Sequence, residues 1–442
     1  MCIRDRDLNP TATEAWLVLG RCHADLAKFL PARSAFERVV ALAPGNIEAH
    51  IALSQISSRL NDKETVLQEL EIVSRLAPRN AEFHFKLAEA YKMNGMFDKA
   101  VIELQKVLDD FPDSIPARVA LTEIYEGTRQ WDKAVLMYRE IIALGPDREA
   151  VLRHRLARIL MFLGKFNEAI HEYHSLLDNN RTTPSLWAEL SEAHQNSGHP
   201  EKALEILREG LSVHPNASEL HGTFGEILIN QDKPEESIEP LRKAILLNKD
   251  EVKNWVNLGI AYRSTKNFEK AVDVLQEGLD ILGENPDLYL HIGFVYQEAN
   301  TFSLAVDAFR SALLADKGHV RSWISLGYIL VESGLVDEGI ATLKAGIESL
   351  PEDMTLRLSL ANVYLEKGKF NQAIDQSQKS IGLNRHDPRG WISLGMAYLR
   401  QEKFEHAERV LSQALSILPQ IPELHLYLGM SFLSVSYTHL TL

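Results

Sequence analysis

Residues 252–285 read VKNWVNLGIAYRSTKNFEKAVDVLQEGLDILGEN. Trp255, Leu258 and Tyr262 fall on one helical stripe, and Leu275 follows on a second. Gly259 and Ala271 are small, so the two helices can approach closely where these residues face. Neither stripe can be buried by one helix alone.

The stretch recurs. Trp187, Trp255, Trp323 and Trp391 stand two 34-residue periods apart, and Trp16 joins the phase once one residue is inserted between Pro146 and Leu156. The units run 13–46, 47–80, 81–114, 115–148, 150–183, 184–217, 218–251, 252–285, 286–319, 320–353, 354–387 and 388–421, with a thirteenth opening at Pro422. The eighth position stays small, as in Gly20, Ser54, Ala88, Thr122, Gly225, Gly293, Gly327 and Gly395; so does the twentieth, as in Ala32, Ala100, Ala169, Ala305 and Ala407. Turns such as Ser197–Pro200 and Glu366–Lys369 separate the helices. Pro44, Pro78, Pro112, Pro146, Pro215, Pro351 and Pro419 stop the second helix. Stacked hairpins complete one another's core, so the expected fold is an all-α solenoid of antiparallel helix pairs.

This pattern resembles the tetratricopeptide repeat family, whose signature W-x2-L-G-x2-Y, A-x3-F, P is followed by Trp255, Leu258, Gly259, Tyr262, Ala271 and Leu275. Trp391, Leu394, Gly395, Tyr398, Ala407, Leu411 and Pro419 follow it as well. The resemblance covers residues 13 to 434; His50 and Ser54 make unit 47–80 a weak match. It implies a right-handed superhelix, with peptides bound on a concave face lined by the first helix of each pair. It gives N-terminal repeats over 13–149, central repeats over 150–251, C-terminal repeats over 252–421 and the first helix of a truncated repeat at 422–434, after a lead-in at 7–12.

On that face the second, fifth, ninth, twelfth and thirteenth positions point inward. Ile260, Phe294, Tyr328, Val331, Leu365, Met396 and Leu399 then form an apolar groove for a hydrophobic or amphipathic segment. Glu89, Glu123, Glu126, Glu192 and Glu226 form an acidic stretch for a Lys/Arg-rich one. Family members that clamp a chaperone's C-terminal carboxylate use concave Lys and Asn residues, a set that Lys92 and Arg158 do not make up. A sugar-transferase branch carries an asparagine ladder at the sixth position, where this chain has only Asn257.

Composition bounds the rest. Hydrophobic residues make up 45% and charged residues 24%, enough apolar material for a continuous core. With Asp+Glu 61 against Lys+Arg 47, the net charge of -14 argues against a nucleic-acid groove. No apolar run approaches the length that spans a membrane. Cys2 and Cys22 make no disulfide framework, and Cys22 reads as a small hydrophobe beside the first core stripe. His171, His174, His194, His199, His214 and His221 lack metal-site spacing, and the glycines lie inside helices where no phosphate loop forms. No catalysis, cofactor or metal is expected.

The reading is therefore a scaffold that binds protein or peptide partners. The alternative is the substrate-presenting repeat region of a longer sugar transferase or sulfotransferase, its catalytic domain C-terminal to this segment. Met1–Arg6 and Val435–Leu440 also match translations of the two strands of a common transposon-adapter 19-mer. Tails 1–6 and 435–442 are thus expected to be non-native, with a microbial source hinted at. A cytoplasmic location is expected, or a periplasmic one if a leader preceded residue 7.

Overall fold

A computed structural model describes residues 13–145, 149–178 and 183–440, so Pro146 and the inserted residue's surroundings lie partly outside the described residues. Every regular element among them is an α-helix. The chain divides into two units, Met1–His199 and Pro200–Leu442.

In the first unit the helices pair as expected: Thr13–Asp25 with Phe29–Leu42, Ile47–Arg59 with Lys63–Leu76, Ala81–Met93 with Phe97–Asp110, Ile115–Gly127 with Trp131–Ala143, and Glu149–Phe162 with Phe166–Asp178, followed by Pro184–Asn196. Each second helix also packs on the first helix of the following pair. In the second unit Pro200–Val213 leads, and pairs begin at Ser218, Val252, Pro286, Val320, Met354 and Pro388. There the first helices of neighbouring pairs also touch, Val252–Ser264 against Pro286–Glu298 and Val320–Glu332 against Met354–Glu366. The last helix runs Pro422–Leu440, beyond the residue 434 expected from the sequence.

The hairpin turn has one chemistry throughout. Its fifteenth-position residue takes left-handed φ at Ala27, Asn61, Gly95, Arg129, Gly164, Gly198, Asp232, Lys266, Asn300, Gly334, Gly368 and Glu402. The next N–H then reaches back five residues, Met96 to Tyr91 at 2.9 Å and Asn267 to Tyr262 at 2.8 Å, which is the Schellman closure of a helix. Glycine suits this φ at Gly198; at Lys266 the side chain bears the steric cost because the flanking helices leave no other path. First helices start on side-chain caps: Asn80 accepts from the N–H of Glu82 and Phe83, Ser114 from Ala117, Asp353 from Leu356.

The small eighth position has a more specific partner than the twentieth. A Cβ added at Gly293 would lie 2.3 Å from Phe309 Cε1, and one at Gly259 would lie 2.7 Å from Leu275 Cδ2, so the large twenty-fourth residue lies over the eighth. Gly339, at position twenty, faces the Gly327 carbonyl instead.

The fourth position does more than supply core bulk: its residues act as donors to the carbonyl six residues upstream. In the first unit His50 Nε2 meets Pro44 O and His84 Nε2 meets Pro78 O, each at 2.9 Å, and the Arg118 guanidinium donates to Pro112 O. In the second unit Trp255, Trp323 and Trp391 Nε1 donate to Lys249, Lys317 and Arg385 O, each at 2.9 Å. His221, Arg357 and His425 do likewise to Pro215, Pro351 and Pro419 O. A flat group carrying an N–H at the end of a long stem satisfies a carbonyl that the preceding helix leaves orphaned.

Candidate functional site

The row of first helices in the second unit carries a cavity of about 650 Å3, lined from Val320–Glu332, Met354–Glu366 and Pro388–Arg400. Tyr328, Leu365 and Met396 converge on it, with Leu358 and Ile392 as apolar floor. Thr355, Ser359, Asn362 and Ser393 supply hydroxyl and amide groups, and Glu366, Arg389 and Arg400 supply charge. The lining is therefore mixed where the sequence suggested an apolar channel. Ser393 is fixed from below by Ser377, hydroxyl to hydroxyl at 2.8 Å. Arg389 is tied to Asp387 at 2.8 Å, and burial and this pairing have opposite effects on the carboxyl: the Arg389 hydrogen bonds hold Asp387 below the usual carboxylate range.

The remaining groove residues are placed differently. Val331 is not a groove residue: it is 9% exposed, packs with Ile340 and Leu343, and abuts the position where Gly339 lacks a Cβ. Phe294 is half-buried, edge-on to the core Phe309 at 5.5 Å, and the Arg263 guanidinium covers its face at 5.8 Å. Ile260 and Leu399 are half-buried outside the cavity, Leu399 against the Trp391 cluster.

The acidic residues are largely engaged within the fold. Glu123 pairs with Lys92 at 2.9 Å in the first unit, and Glu226 pairs with Lys253 at 2.8 Å in the second. Glu126 accepts from the Tyr138 hydroxyl at 2.8 Å, and Glu192 also has a partner. Glu89 is exposed and borders a second cavity with Phe29, Val66 and Met93. Cys22 is exposed, not the small hydrophobe expected, because its side of the Thr13–Asp25 helix faces away from the first hairpin's core.

Three histidines passed over in the sequence are deeply buried: His50, His84 and His291 are 2%, 3% and 8% exposed. His50 and His84 each add a carboxylate to the carbonyl already described, Glu69 at 2.5 Å and Glu103 at 2.6 Å. In the next pairs Arg118 does this with Glu140 at 2.9 Å, and Arg153 makes the carboxylate contact with Glu172 at 2.6 Å. The signal was present as a glutamate nineteen residues after His50, His84 and Arg153.

His291 lies edge-on to Phe294, ring centroids 5.7 Å apart. Burial, then the guanidiniums of Arg321 and Arg263, push it down to about 4, against the opposing pull of Asp287. In the unfolded chain it takes up its proton near pH 6.5. Between those values the unfolded state binds more protons, so second-unit stability should fall as pH drops from 6.5 towards 4, by up to roughly 3 kcal/mol. Urea unfolding of the native chain and a His291→Gln variant at pH 7 and pH 4 checks this. The native chain should lose that much more than the variant, and equal losses would reject the shift.

Among the described residues no cluster of three His, Cys, Asp or Glu could hold a metal ion, and no helix is long and apolar enough to cross a membrane. The described fold and cavity define a helical-hairpin repeat protein. Family models described as tetratricopeptide repeat match residues 82–114, 117–152, 252–281, 295–354 and 358–422. The chain belongs to the tetratricopeptide repeat family. No curated protein matches it. Among solved structures, yeast Tom70 is similar at 15% identity and TM-score 0.50, over 97% of this chain and 96% of that one. The Cut9 and Hcn1 hetero-tetramer of the APC/C is similar at 12% identity and TM-score 0.37, over 95% and 96%. Naa15/Naa10 bound to HypK-THB is similar at 12% and 0.46, over 90% and 68%. The Tom70 likeness supports the fold alone.

Proposed function

We propose that this chain is a protein-interaction scaffold without chemistry of its own, and that the second unit takes a linear protein segment in the cavity between Tyr328, Leu365 and Met396. One observation carries the reading: three first helices at successive 34-residue steps bring apolar side chains, hydroxyls and charges to one opening of about 650 Å3. Apolar anchors surrounded by a few fixed polar groups suit a segment whose side chains are buried and whose backbone is hydrogen-bonded. Membership in a repeat family built on such surfaces supports the same role. Ile260, Phe294 and Leu399 extend the groove beyond the cavity, whereas Val331 supports it from within the core.

Selection of peptides from a displayed random library against the full chain tests this. Enriched peptides should bind a Tyr328→Ala, Leu365→Ala, Met396→Ala variant at least tenfold more weakly, about 1.4 kcal/mol or more. The variant should retain the native helix content. No enrichment, or undiminished binding to the variant, would reject the cavity as a docking site.

A further inference from the structure

The thirteenth position of a repeat, which closes the first helix, is polar or charged in most units, as in Arg59, Asn196, Asn230, Glu298 and Arg400. Met93 and Phe162 break that pattern in the first unit, Phe162 with an aromatic ring. Phe162 is 72% exposed and stands edge-on to Trp131, ring centroids 5.4 Å apart at 62°. Together the two rings leave an aromatic surface largely open to solvent.

Beside the two rings, Arg155, Arg158, Ile159 and Glu126 close a cavity of about 360 Å3. The Tyr138 hydroxyl donates to Glu126 at 2.8 Å, and the Arg155 guanidinium lies beside the same phenol. Those three groups are thereby held in place. Nearby ion pairs join Arg139 to Glu168 and Arg153 to Glu149 and Glu172, and His154 hydrogen-bonds Glu189. Arg158 is exposed, and no ion pair among the described residues engages it.

We infer that this cavity docks a protein segment presenting an aromatic side chain beside a carboxylate. A third ring completes the edge-to-face arrangement begun by Trp131 and Phe162. Guanidinium planes at the same opening stack on such a ring, and Arg158 offers a two-pronged donor to an adjacent carboxylate. Two arginines at the opening repel a basic segment. The acidic stretch read from the sequence pointed to a basic partner here; with Glu123 and Glu126 already engaged, the charge still available is Arg158. The inference is independent of the second-unit cavity.

Fluorescence anisotropy on the full chain tests it with three labelled, end-blocked peptides: Glu-Asp-Phe-Asp-Glu, Glu-Asp-Ala-Asp-Glu and Lys-Lys-Phe-Lys-Lys. The first should bind at least tenfold more tightly than either of the others. Phe162→Ala and Arg158→Glu should each weaken it at least fivefold at unchanged helix content, since both side chains are exposed, and Tyr328→Ala should leave it unaltered. Equal binding of the three peptides, absence of binding by the first, indifference to Phe162→Ala, or loss on Tyr328→Ala in its place would each overturn the assignment.

Discussion

Replacing His84 with Leu should destabilise the first unit by about 3 kcal/mol, the upper end of what leaving a buried hydrogen-bonding group without its partner costs. The substitution leaves Glu103, 8% exposed, without its imidazole partner, and Pro78 O without its donor. Lys106, 2.8 Å from the other Glu103 oxygen, moderates the loss. His84→Arg should cost far less, because Arg118 and Arg153 make the carboxylate contact in the next two pairs and Arg118 the carbonyl contact too. The double change His84→Leu, Glu103→Leu should recover most of the stability, since a matched apolar pair carries no desolvation cost. Repeat arrays need not unfold all at once, so hydrogen exchange within Ala81–Met93 and Phe97–Asp110 is the appropriate measurement. Protection in the Leu variant equal to the native chain would show that the pair contributes nothing.

Trp255→Ala should be costlier in the second unit, about 3–5 kcal/mol. Trp255 is 2% exposed, and its ring packs so closely on Gly278 that an added Cβ there would lie 3.2 Å from Trp255 Cγ. Its Nε1 donates to Lys249 O at 2.9 Å. Two milder changes separate volume from hydrogen bonding. Trp255→Phe keeps most of the ring and orphans the carbonyl, for about 1–3 kcal/mol. Trp255→His can keep the donor, as at His221, but leaves a void. Denaturant unfolding ranks the three, and Phe costing as much as Ala would mean the hydrogen bond outweighs the packing.

The fold was legible because its determinants are periodic and local. Tryptophan in five units, a small eighth residue in all and a proline ending seven set the period that gives the helix pairs. Sequence locates the turn but not its left-handed residue, since that φ is shared by Gly198, Asn300 and Lys266, residues with no common composition. The site was less legible. Position numbers located Tyr328, Leu365 and Met396 on one opening, but helical phase cannot distinguish a residue at the margin of a stripe from one inside it. Val331 therefore read as groove and is core. The acidic stretch misled for a different reason: partners such as Lys92 and Tyr138 lie far enough away in the chain that charge counted along one helix face omits them.

The donor at the fourth position also bears on how such a chain can diverge. Tryptophan, histidine and arginine are unlike in size, charge and codon, yet each closes the same link to the loop before it. A duplicated repeat can thus lose its most recognisable residue and keep its junction with its neighbour. Unit 47–80, poor as a sequence match, and His221, beyond the segments that the family models cover, retain that junction through histidine. In distant members of such arrays, a planar N–H six residues after a helix-ending carbonyl should mark the repeat register where tryptophan has been lost.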